Sequence, residues 1–151
     1  MKRSSMSRRM SPARAASTKR MAEARPILEE RSQGRCDKCA MPLDPSDSGF
    51  EFQMHHRLSR ARGGDDSVAN LMAVHGASCH LAIHARPDQA ADNGWILPSG
   101  ASPEESSLSF RGQGAFLTDS GRVLWIEPFE ETDDDGDHYR DLLIDDELEV
   151  S

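Results

Sequence analysis

Histidine and cysteine crowd into one stretch of this chain, and the crowding limits what the chain can fold into. Five of the six histidines lie between residues 55 and 84, and the three cysteines, Cys36, Cys39 and Cys79, flank or enter that stretch. Only 36% of the 151 residues are hydrophobic and 29% are charged, so the apolar core must be small and needs another source of stability. The clustering therefore predicts a small domain stabilised by bound metal.

The first predicted metal cluster joins a cysteine knuckle to the start of a helix. Cys36 and Cys39 have C-x2-C spacing, which lets two thiolates reach one tetrahedral zinc from a tight turn. His75 and Cys79 follow with H-x3-C spacing and can close the site. A closed Cys3His site leaves no open coordination position, so we predict a structural zinc at these four residues. The alternative is that the cysteines are unligated core residues.

The remaining clustered histidines predict a second, open metal site. His80 and His84 are four residues apart, so on a helix they lie on one face. His55 and His56 end a predicted strand that a ββα arrangement would bring opposite this helix. A metal held by only a few protein ligands keeps coordination positions open for a phosphate oxygen and a water, as metal-assisted phosphodiester hydrolysis requires. The alternative is that His80 or His84 completes the zinc site and the doublet is a polar strand end.

The elements around these residues are predicted in the order strand, loop, strand, helix. Residues 50–56 alternate apolar and polar side chains, which predicts a half-buried strand, and residues 62–66 form a polar, glycine-rich loop. Residues 70–75 are apolar enough for a second strand, and residues 79–85 have helix-forming composition with Pro87 as the stop. The predicted fold class is α+β, a small ββα-metal domain held by a structural zinc.

The flanking segments are assigned by composition. Residues 1–18 are predicted to be a disordered basic arm, and residues 19–94 the finger with a leading helix over 19–33, whose regularity Pro26 limits. Residues 95–126 are predicted to pack on the finger as a short strand at 95–97 and a hairpin of 115–118 with 123–126. Residues 127–151 are predicted to be an acidic, disordered tail.

The charge is divided between the two ends of the chain. The net charge is -8, but residues 1–62 hold 14 of the 18 Lys and Arg, and residues 63–151 hold 19 of the 26 Asp and Glu. A basic end of this kind can meet nucleic acid. Arg57, Arg60 and Arg62 follow the histidine doublet and are candidates for phosphate contacts, because Arg can clamp two oxygens. The alternative is a solvated loop.

Cellular location is inferred from what the sequence lacks. It contains no run of about 18 apolar residues that could span a membrane. It also has no apolar signal-peptide core before its odd number of cysteines. We therefore expect a cytoplasmic protein without a membrane partner. We also expect no small-molecule substrate.

These motifs together resemble a known family. The resemblance covers about a third of the chain. It is specific because the doublet, the Asn and the helical His occur in the family's order and at plausible spacing, together with the knuckle. The matching set is the Cys36 and Cys39 knuckle, His55-His56-Arg57, Gly63-Gly64, Asn70-Leu71, Cys79-His80 and His84. It resembles the HNH endonucleases, including the zinc-stapled versions of bacteriophages. One departure is that His75 stands where the family's second knuckle usually has a cysteine.

The resemblance implies a role for each matching residue. His55 and His80 would ligate the catalytic divalent metal, Mg2+, Mn2+ or Ni2+, and His84 matches a further ligand found in some members. His56 is similar to the general base that activates the attacking water, which suits an imidazole near its ordinary pKa. Asn70 looks like the residue that pins the loop and orients the base.

The expected function is metal-dependent endonuclease cleavage of DNA, by nicking or by double-strand hydrolysis. The likeness to bacteriophage members suggests a phage protein that acts with DNA packaging machinery. We expect weak sequence specificity, because nothing in the finger resembles a base-reading helix. The rival hypothesis is a non-catalytic, zinc-stabilised module that binds nucleic acid or a partner protein.

Overall fold

A computed structural model describes residues 10–43 and 52–127 of the chain. The described helices are α1 (Pro12–Ser32), α2 (Leu81–Ala85) and α3 (Pro87–Asp92). The strands are β1 (Gln53–His56), β2 (Leu71–Val74), β3 (Leu108–Phe110), β4 (Gln113–Leu117) and β5 (Val123–Trp125). Short 3-10 turns cover Arg60–Arg62 and Val68–Asn70, and a π-helical turn covers Gly76–His80. The predicted α+β fold class is confirmed.

The finger is an antiparallel pair of strands followed by helix. β1 pairs with β2 so that His55 lies opposite Met72, and all four residues of β2 are buried. The π-helical turn then leads directly into α2, which ends at Ala85, and Pro87 opens α3. The predicted order of strand, loop, strand and helix is therefore observed. The predicted start of the first strand, at residues 50 and 51, lies outside the described residues.

Helix α1 is longer than the sequence predicted. It begins at Pro12, and the Ser11 side chain accepts a hydrogen bond from the backbone N–H of Arg14. A serine cap followed by proline at the first helical position is a strong start signal. Residues 12–18, predicted as part of a disordered arm, are therefore helical; residues 1–9 lie outside the described residues.

Packing keeps α1 continuous across Pro26. Proline removes one backbone donor and normally kinks or ends a helix. Ala24 and Leu28, one turn apart on either side of it, are fully buried in the core that includes β2. The burial of this face offsets the lost hydrogen bond, and the helix ends at Ser32, before a left-handed Gln33.

A buried ion pair fastens α1 to the finger. Asp37, inside the cysteine knuckle, is fully buried and accepts hydrogen bonds from Arg31 of α1 at 2.7 Å and from the backbone N–H of Ala73 at 2.8 Å. Arg31 also donates to the backbone carbonyls of Val68 and Leu71. The pair therefore connects the leading helix, the knuckle and the second strand of the finger.

The C-terminal part agrees with the prediction in its hairpin and differs from it in two other segments. The predicted hairpin is observed, with Leu117 of β4 opposite Val123 of β5. Strand β3 was not predicted; it joins β4 through Arg111 and Gly112, which both have positive φ angles, as a two-residue hairpin turn requires. Residues 128–151, most of the predicted acidic tail, lie outside the described residues.

The strand predicted at residues 95–97 does not form. The backbone N–H groups of Trp95 and Ile96 both donate to the carbonyl of Ala90 in α3, and that of Leu97 donates to the carbonyl of Arg57. These donors close the end of α3 and tie the segment to the finger, so they are not available for a strand ladder.

No helix within residues 10–43 and 52–127 has both the length and the apolar composition that crossing a membrane requires.

Replacing Asp37 tests how far the domain depends on the buried ion pair. Asp37→Ala leaves Arg31 buried without its carboxylate, so we expect the free energy of unfolding to fall by about 3–5 kcal/mol. Glu23→Ala is the matched control, because Glu23 pairs with Lys19 at 3.8 Å on the exposed face of α1. That control should change stability by less than about 1 kcal/mol. Urea unfolding in saturating zinc measures both, and equal midpoints for the two variants would contradict the assignment.

Candidate functional site

The three cysteines and His75 converge on one point. The ligand atoms of Cys36, Cys39, His75 and Cys79 all lie within 4.8 Å of one another. The Nδ1 atom of His75 is 3.6 Å from the Cys39 sulfur and 3.7 Å from the Cys79 sulfur. A tetrahedral zinc with Zn–S of about 2.3 Å and Zn–N of about 2.1 Å would set this separation at about 3.6 Å. The cluster therefore fits zinc.

Local hydrogen bonds aim the knuckle and the imidazole at each other. The backbone of Cys36 bonds to both Met41 and Ala40, which closes the knuckle into a turn. The Nε2 atom of His75 lies 2.9 Å from the carbonyl oxygen of Pro42. A carbonyl can only accept, so Nε2 carries the proton and Nδ1 keeps its lone pair for a metal.

The electrostatics of the thiols also fit a cation. Burial, together with the neighbouring Cys36 and Cys39, raises the pKa of Cys79 to about 12. All three cysteines are free of disulfide bonds. Three sulfurs in contact can all ionise only when a positive charge lies between them, because thiolates repel one another.

A second group forms from the remaining histidines. His55, His80 and His84 each offer a ligand atom within 4.8 Å of the others. The ring centroid of His55 lies 5.4 Å from that of His80 and 5.5 Å from that of His84. The Nε2 atoms of His80 and His84 are 3.2 Å apart. Two imidazole nitrogens on one metal are separated by about 3.0–3.4 Å for metal–nitrogen bonds of about 2.1 Å.

His55 is held by a residue far away in the sequence. Its side chain is buried, and its Nε2 lies 2.8 Å from the carbonyl oxygen of Trp95. The carbonyl requires the proton on Nε2, which leaves Nδ1 as the ligand atom. Burial lowers the pKa of His55 to about 4, and it also lowers the pKa of His80. The imidazoles of His55 and His80 are therefore neutral at pH 7, the form that binds metal.

The structure thus separates the seven candidate ligands into the two groups that the spacing predicted. His80 and His84 lie with His55 and not with the cysteines. The alternative, in which one of these two histidines completes the cysteine cluster, does not match this arrangement.

His56 does not join either metal group. It is half-buried, and its Nε2 lies 2.9 Å from a carboxylate oxygen of Asp66, whose side chain is buried. Burial alone would raise the pKa of Asp66, but hydrogen bonds from His56, Arg60 and Ser17 outweigh it and hold that pKa well below its usual range. The sequence placed Asp66 in the loop but did not predict this contact, because no spacing rule links Asp66 to His56.

Asn70 pins the loop that follows β1. Its side-chain oxygen accepts from the backbone N–H of Leu58 at 2.7 Å, and its amide donates to the carbonyls of Leu58 and Asp65. Gly64 lets this loop close, because a Cβ there would collide with the carbonyl of Leu58. Asn70 is fully buried, so its side chain holds the loop and is not positioned to touch a substrate.

Arg57 is not a phosphate contact, contrary to the sequence expectation. It is fully buried, and burial lowers its pKa to about 10. Its guanidinium donates to five backbone carbonyls at 2.8 to 3.4 Å: those of Ala69, Gly94, Pro103, Ser106 and Ser107. All of its donors are used inside the protein. Arg60 and Arg62 stay exposed; Arg60 binds Asp66 and Arg62 lies 3.5 Å from the carbonyl of Leu97.

Comparison with known proteins identifies one region of the chain. Residues 36–86 match the family model described as HNH endonuclease. This region is about a third of the chain and contains all seven candidate metal ligands found among residues 10–43 and 52–127. Neither the curated proteins nor the solved structures gave a match.

Removing one exposed thiol tests the first cluster. Cys39 is exposed, so Cys39→Ser costs little core packing, and any large loss of stability must come from the lost ligand. We expect the variant to lose bound zinc and to unfold at room temperature, since structural zinc contributes folding energy directly. Elemental analysis and far-ultraviolet circular dichroism measure the two effects, with exposed Ser78→Ala as the control. A metal-free Cys36→Ser/Cys39→Ser variant that stays folded would refute the assignment.

Proposed function

We propose, on the premise that residues 36–86 form an HNH endonuclease domain, that the protein is a metal-dependent endonuclease hydrolysing phosphodiester bonds in DNA. The observation that carries this proposal is the convergence of the ligand atoms of His55, His80 and His84, with His56 as the residue that follows His55 in β1. His55 is buried, His80 is half-buried and His84 is exposed, so the group opens to solvent on one side. A phosphate could approach from that side.

The three imidazoles are suited to hold a divalent cation. Three protein ligands leave coordination positions for substrate and water, unlike the closed set of the cysteine cluster. When bound there, Mg2+, Mn2+ or Ni2+ would act as a Lewis acid that stabilises negative charge developing on the phosphate. We propose zinc as the metal of the cysteine cluster, where it is structural.

His56 is the proposed general base. It neighbours His55 in β1 but is not part of the metal group, so its ring can accept a proton from the attacking water. Asn70 supports this role indirectly, because it fixes the loop from Leu58 to Asp65 that follows the base. A group of candidate metal ligands, a candidate base next to one of them in the chain and a fixed loop after that base together support a hydrolytic site.

Arg60 and Arg62 remain the proposed phosphate contacts. About half of the Arg60 side chain is exposed, and it binds Asp66 through Nε and Nη2. The opposite edge of its guanidinium, with Nη1, therefore points away from Asp66 and can donate to a phosphate oxygen. Contacts to phosphate position DNA without reading its sequence, which supports weak sequence specificity.

The biological setting is proposed from the resemblance alone. The likeness to zinc-stapled bacteriophage members supports a phage protein that acts on DNA in the cytoplasm of its host, together with packaging proteins. Free cysteines in the described region agree with a reducing compartment.

Cleavage of supercoiled plasmid DNA tests the proposed function. The protein should convert the plasmid to nicked or linear form with at least one of Mg2+, Mn2+ and Ni2+. His56→Ala should lower the rate by about 10²–10⁴-fold, the usual contribution of a general base. Gln53→Ala is the control, because Gln53 is exposed on the same strand. No cleavage by the wild-type protein with any of these metals would leave the non-catalytic binding module.

A further inference from the structure

The partner of His56 determines which ring nitrogen is free. The Nε2 atom of His56 lies 2.9 Å from Oδ1 of Asp66. An ionised carboxylate can accept hydrogen bonds but cannot donate them. The proton of the neutral imidazole must therefore sit on Nε2, and Nδ1 is left with its lone pair.

Asp66 is held in this position from two directions. Its side chain is about 1% exposed, and Oδ1 also accepts from Nε and Nη2 of Arg60 at 3.0 and 2.6 Å. On the other side, Oδ2 lies 3.2 Å from Nε and 3.1 Å from Nη2 of Arg20. Two cations keep this buried carboxylate ionised, as charge pairs do when they outweigh desolvation.

Arg20 lies outside the region that matches the HNH family. It belongs to α1, forty-six residues before Asp66 in the sequence, whereas the match begins at residue 36. The long helix therefore contributes a side chain to the surroundings of the candidate base. This contact gives α1 a part in the site in addition to its packing on the finger.

We propose that Asp66, anchored by Arg20 of α1, is a positioning residue that fixes His56 with its proton on Nε2, so that Nδ1 is the atom that takes the proton from water. This inference rests on the proposed nuclease function. In the reaction, the water oxygen forms a bond to phosphorus while one of its protons passes to Nδ1. The ester P–O bond breaks with its electron pair going to the leaving oxygen, which is protonated by solvent.

The carboxylate has two effects in such a step. It holds the ring in one orientation, and small errors in orientation can cost about 10²-fold in rate. It also stabilises the imidazolium that exists after the proton has moved, because the negative charge lies against Nε2–H. Neither effect needs Asp66 to touch the substrate.

Nitrogen NMR of the zinc-loaded protein tests the tautomer directly. In protein labelled with 15N-histidine, His56 should show a protonated Nε2 and an unprotonated Nδ1. Asp66→Ala should shift these signals towards a mixture of the two tautomers. Asp66→Asn should preserve the wild-type pattern, because the amide oxygen can still accept from Nε2–H. A wild-type spectrum with the proton on Nδ1 would overturn the inference, whatever the cleavage assays give.

Plasmid cleavage separates a positioning role from a general effect on folding. Asp66→Ala should lower kcat by about 10–100-fold with little change in KM, and Asp66→Asn should recover part of the loss. Arg20→Ala should also lower kcat, but by a smaller factor than Asp66→Ala, because Arg60 still holds the carboxylate. Arg14→Ala is the control, because it removes the same charge from an exposed position on the same helix and should leave kcat unchanged.

The outcomes distinguish this inference from the proposed function. An inactive wild-type protein would refute the nuclease proposal, while the NMR spectra would still decide the tautomer. An active wild type with Asp66→Ala at the same kcat would overturn only the positioning role. Equal losses of kcat in Arg14→Ala and Arg20→Ala would also overturn the positioning role, because the effect would then come from net charge.

Discussion

The geometry of both groups of candidate metal ligands depends on the ten residues from His75 to His84. His75 and Cys79 belong to the cysteine cluster, and His80 and His84 belong to the histidine group. Cys79 and His80 are neighbours in the chain, so positioning one of them constrains the other. The π-helical turn over Gly76–His80, closed by the bond from His80 N–H to the His75 carbonyl at 2.9 Å, is the segment that directs them to separate groups. Such turns commonly occur at functional sites.

The strand pair supplies the other half of the arrangement. Because side chains alternate along a strand, His55 points into the protein while His56 turns to the opposite side. His55 there meets the carbonyl of Trp95, and His56 meets Asp66. Each imidazole thus has one nitrogen bound to a fixed acceptor and the other nitrogen available. The alternation of side chains along the strand and two distant acceptors together give these adjacent, identical residues different surroundings.

The parts of the site that could be predicted are those encoded at short range. The knuckle, the spacing of His80 and His84 and the His doublet are local patterns, and the structure groups their side chains as the spacing suggests. The contacts missed are long-range ones: Asp66 with Arg20, and Arg57 with the carbonyls beyond residue 93. Such contacts depend on how distant segments pack, and no periodicity in the sequence records them. The early start of α1 has a local signal, Ser11 followed by Pro12. The prediction missed it because it relied on the polar, basic composition of residues 1–18.

Arg57 gives the region after the finger an unusual kind of support. Four of its five acceptors are backbone carbonyls between Gly94 and Ser107, a segment with no regular secondary structure after residue 94 until β3 begins. Because this guanidinium bonds only to backbone carbonyls, its hydrogen bonds do not depend on which side chains the segment carries. They do depend on the path of the backbone. Side chains at exposed positions of this segment can therefore vary without affecting these bonds, whereas an insertion or deletion would move the carbonyls away from the guanidinium. Lysine could not take over the task, since three donors on one atom cannot span carbonyls that converge from several directions.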